Sequence, residues 1–504
     1  VTENGFALNA SRYTPSSTLQ RMELLKTGYM GTLSLGWDNY LFLELTGRQE
    51  RSSTLKDQSF FYPSANLSFL FTQAFHMPSW WNYGKLRLSY GIVGNAPETY
   101  TANIVYEQGS DNGFTWNTIP SSWGNADIRP EKKYEYEIGL ESKFLNNRLG
   151  IDVSYYNNRV KDQILSTPQP STSGVKNVLM NVGEVANHGW DISISATPIL
   201  TRDFRWDLTA NYGVYKNKVV KLADGVPYLE ILNSGGSGIK IQAVEGQPMG
   251  DIYAQVPQVN ENGEYLVSDK GLYLNQTELQ KVGNINPAGV GGLFNSFSYK
   301  NVFLDFSIDF RIGGDVINEM NQYATAVGLT PESLKYRDTE HGGLSYYYPG
   351  DNNSSGIPVQ VDPSTGVGPN GEIIYHDGII LPGVVASTGE RNTRIIPAGY
   401  YYNTTYNWGT EAEQLTYRHS VFDNSYVKLR ELTIGYQFPE KMISKLGLGR
   451  LSVSVFGRNL FYFYKALKNY DAESSVGTSW TNKATVGSST TATRSFGVSL
   501  RASF

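Results

Sequence analysis

The sequence predicts an all-β chain: a transmembrane antiparallel up-and-down β-barrel, about fourteen strands of it, with short periplasmic turns and long extracellular loops. Three observations carry this. Apolar and polar residues alternate with a period of two through much of the chain. The connections between alternating segments are short and long by turns. Tyr numbers 35, more than Phe (22) and Trp (9) together, while charged residues are only 18%.

The elements follow in order. Leu33, Leu35 and Trp37 alternate with Thr32, Ser34 and Gly36, and Leu41, Leu43 and Leu45 come after a minimal Asp38-Asn39 turn. Leu86, Leu88, Tyr90 and Ile92 interleave with Lys85, Arg87, Ser89 and Gly91. Segments 133–144 and 148–159 flank Leu145-Asn146-Asn147. Trp190, Ile192, Ile194 and Ala196 alternate with Asp191, Ser193 and Ser195, and Phe204 to Tyr212 repeats the pattern. Segment 301–312, Leu432 to Phe438, Leu451 to Val455 and Phe496 to Phe504 complete the series. A period of two places alternate residues on opposite faces of a strand. Several segments reach the roughly 9–11 residues that a tilted strand needs to cross a bilayer.

The connections assign the ends. Short links at 38–39, 76–84, 145–147, 198–203, 300–301 and 439–449 alternate with longer ones at 14–26, 48–60, 93–132, 160–183, 220–292, 313–425 and 459–491. Odd and even links of an up-and-down sheet lie at opposite ends, and outer-membrane barrels keep short turns inside and long loops outside. Ile192, Ile194, Leu208, Phe306 and Ile308 then face lipid; Glu135, Glu137, Asp207, Asp305, Asp309 and Arg311 face the lumen. Trp37, Tyr155, Tyr156, Trp190, Trp206 and Tyr436 are read as interfacial girdles.

Composition removes other classes. Cysteine is absent, so disulfide frameworks and thiolate chemistry are excluded. The five His residues are scattered, and a net charge of −5 argues against nucleic acid as a partner. No apolar run approaches the ~18 residues of a transmembrane helix. Val1 is preceded by neither Met nor a leader, which implies processing or truncation upstream.

Local motifs resemble one family. Leu86-Arg87-Leu88-Ser89-Tyr90-Gly91 through Gly94-Asn95, Arg129-Pro130-Glu131, Asn181-Val182-Gly183 with Asn187-His188-Gly189, and Val282-Gly283-Asn284 are similar to segments of SusC/RagA-type TonB-dependent outer-membrane transporters. So are Tyr299-Lys300-Asn301 through Gly313-Gly314-Asp315, Val427-Lys428-Leu429-Arg430-Glu431-Leu432 and Gly457-Arg458-Asn459-Leu460. Tyr470-Asp471-Ala472-Glu473 resembles a family motif with Ala472 in place of proline, and Asp191 stands where the family usually has Glu.

The resemblance implies active import of a large nutrient, a glycan or an oligopeptide, across an outer membrane. It implies a SusD-like surface lipoprotein as lid, a TonB complex as energy source, outer-membrane lipid around the wall and a larger, dimeric assembly. The family barrel has about 22 strands. Residues 1–504 therefore read as the C-terminal part of one barrel, with plug and N-terminal extension outside the chain.

The long loops offer a candidate ligand surface in Trp116, Trp123, Tyr346, Tyr347, Tyr348, Tyr401, Tyr406 and Trp408, with Tyr400 and Tyr402 in the same cluster. Aromatic faces stack on sugars or peptide side chains, but such residues also pack loops together or anchor interfaces. Phe496, Val498, Leu500 and Phe504 resemble a C-terminal barrel-assembly signal. Asn260-Glu261-Asn262-Gly263-Glu264 and Asp351-Asn352-Asn353 read as turns rather than calcium loops, since neither carries the twelve-residue ligand pattern. No metal, cofactor or catalytic constellation is expected. A passive porin and a surface adhesin or assembly scaffold are the competing functions.

Overall fold

The computed structural model describes residues 21–503 except 57–58, 112–113, 170, 235–237, 351–355, 408–415, 476, 478 and 488–491. Its centre is a 13-stranded sheet in which every strand pairs with its sequence neighbours. The wall strands are β1 (Lys26–Trp37), β2 (Leu41–Ser52), β3 (Ser59–Phe69), β4 (Trp81–Asn95), β5 (Glu131–Phe144), β6 (Leu149–Lys161) and β7 (Glu184–Leu200). They continue as β8 (Phe204–Lys221), β9 (Pro287–Tyr299), β10 (Val302–Gly313), β11 (Tyr426–Gln437), β12 (Arg450–Lys465) and β13 (Ser495–Ser503). All wall pairings are antiparallel. Among the described residues β1 and β13 are each paired on one side only. A strand ahead of the 14–26 connection would fall outside the described residues.

Connections of alternating length leave opposite ends of this sheet. At one end, Asp38 and Asn39 both take left-handed backbone (φ 46° and 56°), the geometry of a hairpin turn that follows the twist of its strands. Leu145, Asn146 and Asn147 do the same over three residues (φ 54°, 57° and 64°). Asn and Asp tolerate this region because their side chains bond locally; Leu145 is the costlier member.

Register makes the two faces explicit. One row runs Leu86, Leu140, Val153, Ile192, Tyr212, Gly291, Phe310, Val427 across eight strands. The next runs Ile151, Ile194, Ala210, Leu293, Ile308, Leu429. This apolar face is open to the surroundings at Leu88, Ile138, Trp190, Ile194, Ile434 and Val455. Phe496, Val498 and Leu500 continue it on β13, opposite Gly457, Val455 and Val453. Asn295 is a polar residue on this face, in register with Leu208 and Phe306. Its amide oxygen accepts the Trp206 indole N–H at 3.2 Å. Trp206 in turn stacks on Phe297 with ring centres 5.4 Å apart.

The aromatic girdle differs in detail from expectation. Trp37 ends β1, Tyr436 lies at the end of β11 and Trp206 near the start of β8. Tyr155 and Trp190 meet inside the wall, 4.9 Å between ring centres. Tyr156 points to the polar face, in register with Glu137 and Gly189. Successive residues of a strand cannot share a face, so Tyr155 and Tyr156 cannot both serve the girdle.

Beyond the other end, the long connections fold on one another. Residues 222–286 form a four-stranded sheet, Tyr228–Ser234, Ile239–Val244, Asp251–Ala254 and Gln280–Asn284. Residues 314–425 form a second, Leu344–Tyr347, Val359–Gln360, Tyr375–Ile379 and Ile396–Pro397, with helices α1 (Glu319–Ala326) and α2 (Ala398–Tyr406). The two connections are sewn together by parallel pairing of Leu266–Val267 with Val384–Val385. A shared core joins Ile239, Ile241 and Ile252 of the first with Ile317 and Val421 of the second and Ala484 of the last connection.

Candidate functional site

The sheet's second face carries the chemistry. Arg87 of β4 donates to Asp152 of β6 at 2.7 Å and to the Ser154 hydroxyl at 3.1 Å, with Glu141 of β5 3.6 Å away. Asp207 of β8 accepts from Arg205 and from the Thr197 hydroxyl at 2.7 Å. Asp305 accepts from Ser296 at 2.6 Å. Glu135, Glu137, Asp207, Asp305, Asp309 and Arg311 all lie on this face by register, opposite Ile192, Ile194, Leu208, Phe306 and Ile308. A concavity of about 670 Å³ opens here, edged by Arg87, Asp152, Asp191, Asp309, Arg311 and Tyr426. Its floor is low because Gly213 and Gly292 put no side chain into it.

A second polar node ties the last long connection to the wall. Lys428 of β11 is almost fully buried, donates to Glu473 at 2.5 Å and lies 4.7 Å from the Tyr462 ring centre. Arg430 grips Glu473 through two nitrogens at 2.9 and 2.7 Å and also holds Asp309. Asp471 shapes the approach by accepting from the Tyr462 hydroxyl at 2.8 Å and the Glu473 N–H at 2.9 Å. Burial pushes the Glu473 carboxyl up, but the hydrogen bonds from Arg430 and Lys428 outweigh it and hold it below the usual carboxylate range. The sequence flags Lys428, Arg430, Asp471 and Glu473 only within two family-like motifs and Asp309 only as a lumen-facing residue; period and composition give no sign that they meet.

The aromatic residues of the long loops separate into groups. Tyr346 and Tyr348 are buried, edge to face at 5.5 Å, with Tyr346 donating to Asp377 at 3.1 Å. Burial and the Asp377 charge raise the Tyr346 hydroxyl far above its usual range. Tyr347, beside them, is half-buried. Tyr401, Tyr402 and Tyr406 form a separate cluster on α2, where Tyr406 stacks on His419 at 4.3 Å. Tyr400 packs with Tyr401 against Leu272 and Ile396. Trp116 and Trp123 lie apart from both groups, on connection 96–130. Trp116 is exposed on a hairpin of Glu107–Asp111 with Phe114–Thr118, and Trp123 is half-buried against Tyr106 at 6.0 Å. Trp408 lies outside the described residues, as do Phe504 and Asp351-Asn352-Asn353.

The Asn260–Glu264 segment is a turn that uses its own oxygens. Asn260 Oδ1 accepts the N–H groups of Asn262 and Glu264 at 3.0 and 2.9 Å. Among the described residues there is no group of three His, Asp or Glu placed to hold a metal ion.

Comparison with known proteins agrees with this architecture. The family model "TonB dependent receptor-like, beta-barrel" matches residues 4–239. TonB-dependent receptor P3 of Formosa agariphila is 25% identical over 494 residues, 89% of this chain and 42% of the relative. TonB-dependent receptor SusC of Bacteroides thetaiotaomicron is 30% identical over 247 residues, 45% of this chain and 24% of the relative. Among solved structures, the RagAB peptide importer in its open-open state superposes with a TM-score of 0.68 at 18% identity, covering 99% of this chain and 49% of that one. The chain spans half or less of the length of these relatives.

An exposed apolar face, a charged inner face and this set of matches point to one class, an outer-membrane β-barrel similar to those of the TonB-dependent receptors. Within that class the matches support the SusC/RagA type.

Proposed function

We propose that the chain forms wall and external loops of a TonB-dependent importer that carries a glycan or an oligopeptide across the outer membrane. The observation that carries this is the two-faced sheet, apolar on one face and polar and concave on the other, with the long connections interlocked beyond one of its ends. In this reading the open edges of β1 and β13 join further strands, because an unpaired edge is untenable in lipid. Residues 1–504 are then the C-terminal part of one multi-pass barrel. A SusD-like lipoprotein covers the external layer, a TonB complex supplies energy through a region outside this chain, and the assembly is dimeric. The chain has no catalytic role.

Within that reading, the external aromatic set divides by accessibility. Trp116 is exposed, and Trp123, Tyr347, Tyr401 and Tyr406 are half-buried, so these keep surface to offer a substrate or the lid. Tyr346 and Tyr348 support the layer from inside. Phe496, Val498, Leu500 and Phe504 serve as the barrel-assembly signal, and deleting Phe504 lowers outer-membrane yield.

The deciding experiment is nutrient-limited growth and labelled-substrate uptake in cells with and without TonB. Import falls to background without TonB. Uptake that survives its loss identifies a passive porin instead.

A further inference from the structure

The apolar face of the wall changes character in step on four consecutive strands. Counting away from the 145–147 turn, β5 presents Phe144, Ser142, Leu140, Ile138, Tyr136, Tyr134 and Lys132 on this face. At Tyr136 the row across the sheet reads Tyr136, Asn157, His188, Lys216 on β5, β6, β7 and β8. The next reads Tyr134, Arg159, Ala186, Lys218, and the one beyond begins Lys132, Lys161. Lys132, Arg159, Lys161, Lys216 and Lys218 are all exposed. At the corresponding ends of the flanking strands this face carries Ile92 and Gly94 on β4, and Gly289 and Ile312 on β9 and β10. Between β4 and β10 the basic patch is therefore confined to β5–β8.

Height places this patch. A barrel strand rises about 3.4 Å per residue and tilts by about 40°, so the climb from Phe144 to Tyr134 is about 26 Å. The lipid-facing band of such barrels is about 25 Å tall. Tyr90, Tyr134 and Tyr136 thus sit at the external interface, where aromatic rings are favoured, and the cations sit at and just above it, level with lipid headgroups. Their charge is poorly matched from within. Lys132 and Lys161 stand directly opposite each other, which destabilises a strand pair of like charges. Glu184 reaches the patch, 3.1 Å from Arg159 and 4.0 Å from Lys161, but among the described residues Lys132, Lys216 and Lys218 have no ion pair. Between Tyr134, Tyr136, Asn157, Arg159 and Lys161 lies a hollow of about 210 Å³, with the Lys161 ammonium 6.0 Å from the Tyr134 ring centre.

We propose that this patch binds the phosphorylated sugar headgroup of a glycolipid in the external leaflet of the membrane. The ammonium and guanidinium groups take the phosphate oxygens in charge-assisted hydrogen bonds. The Tyr rings and Asn157 face the sugar, and the acyl chains run down the apolar rows below, past Ile138, Tyr155 and Trp190. The spread of the cations selects this headgroup. From β5 to β8 they span three interstrand spacings, about 14 Å. A phosphodiester headgroup brings one charge to one point, whereas a sugar unit phosphorylated at both ends brings charge to both sides of the patch. The proposal rests on lipid lying against this face and on the long connections being external. It does not depend on what the protein imports.

The test is native mass spectrometry of the full-length transporter in detergent, titrated with diphosphoryl lipid A, with dephosphorylated lipid A and with phosphatidylglycerol. Diphosphoryl lipid A binds tightest. Each cation removed weakens it about fivefold, the worth of one basic residue at an anionic surface. Lys132→Gln with Lys161→Gln and Lys218→Gln therefore weakens it on the order of a hundredfold. Lys441→Gln with Lys445→Gln, in the 439–449 turn at the opposite end, leaves it unchanged. A heat-modifiable band on gels reports that each variant is folded, and the comparison of the three lipids on the wild type needs no variant. Equal binding of phosphorylated and dephosphorylated lipid A overturns the proposal. So does phosphatidylglycerol that binds as tightly as lipid A, because the patch is then a general attraction to anionic surfaces. A triple variant that keeps wild-type lipid A binding overturns it too, and if that variant also loses self-association the patch joins two copies of the chain instead.

Discussion

Lys428 and Glu473 meet 2.5 Å apart, one rooted in the barrel wall and the other 45 residues on, in the last long connection. The lysine is buried and the glutamate keeps about a third of its side chain in solvent. Removing one partner of such a pair leaves an uncompensated buried charge, whereas replacing both with apolar residues can be nearly neutral. Glu473→Gln should therefore cost up to about 3 kcal/mol, the low end for a buried pair because Glu473 is partly hydrated. Lys428→Met with Glu473→Leu should recover much of it. Proteolysis of connection 466–494 in folded protein reads the effect. Equal cleavage in wild type and Glu473→Gln would show that the knot does not hold this connection.

His419 couples the external layer to pH. Burial lowers its imidazole to about 4, with the neighbouring Arg418 adding to the shift, while its ring stacks on Tyr406. A folded-state value below the unfolded value of ~6.5 means that the unfolded chain takes up the proton first on acidification. The stabilisation is complete above about pH 6.5 and is lost as pH falls from there towards 4. Protection factors in 398–407 and 416–420, corrected for the intrinsic slowing of amide exchange in acid, should fall over that window in wild type, and less so in His419→Gln. An identical pH profile in the two proteins would remove His419 as the cause.

The shared core of the long connections gives a packing prediction. Ile239 is fully buried among Ile241, Ile252, Ile317 and Tyr417. Ile239→Ala should cost about 2–5 kcal/mol through lost transfer energy and the cavity left behind. Because that core is confined to the loops, the loss should appear as local opening of 228–254 and 315–317 by hydrogen exchange. Protection of the wall strands should not change.

The wall was legible because one physical rule governs it. Ile192, Asp191, Ile194 and Ser193 declare their faces by alternation alone, and the glycine-poor hairpins at 38–39 and 145–147 are short enough to admit no other topology. The external layer obeys no such rule. Tyr346 and Trp116 look alike in sequence, as aromatics of long connections. One is buried beside Tyr348 and Tyr375, and the other is exposed on a small hairpin. Which of them is buried depends on strand pairing inside a connection and on contacts between connections hundreds of residues apart. Local pattern does not encode these. Lys428 is the same case in reverse: a lysine in an alternating strand reads as solvated, and only the arrival of Glu473 makes its burial tolerable.

The face assignment itself is open to a direct reversal test. Ile194 of β7 lies between Ile151 of β6 and Ala210 of β8 on the exposed apolar face, while Ser193 beside it lies between Asp152 and Asn211 on the polar one. An arginine on the lipid face near the bilayer midplane costs about 2–4 kcal/mol, and one in the hydrated lumen costs little. Ile194→Arg should thus reduce the folded, heat-modifiable band on gels and raise degradation. Ser193→Arg, one residue away on the same strand, should leave the band near wild type. The pair controls for expression and for strand propensity, since both put the same side chain at adjacent positions. Should Ser193→Arg prove the damaging one, the sheet is inside out and the polar concavity faces the wrong side of the wall.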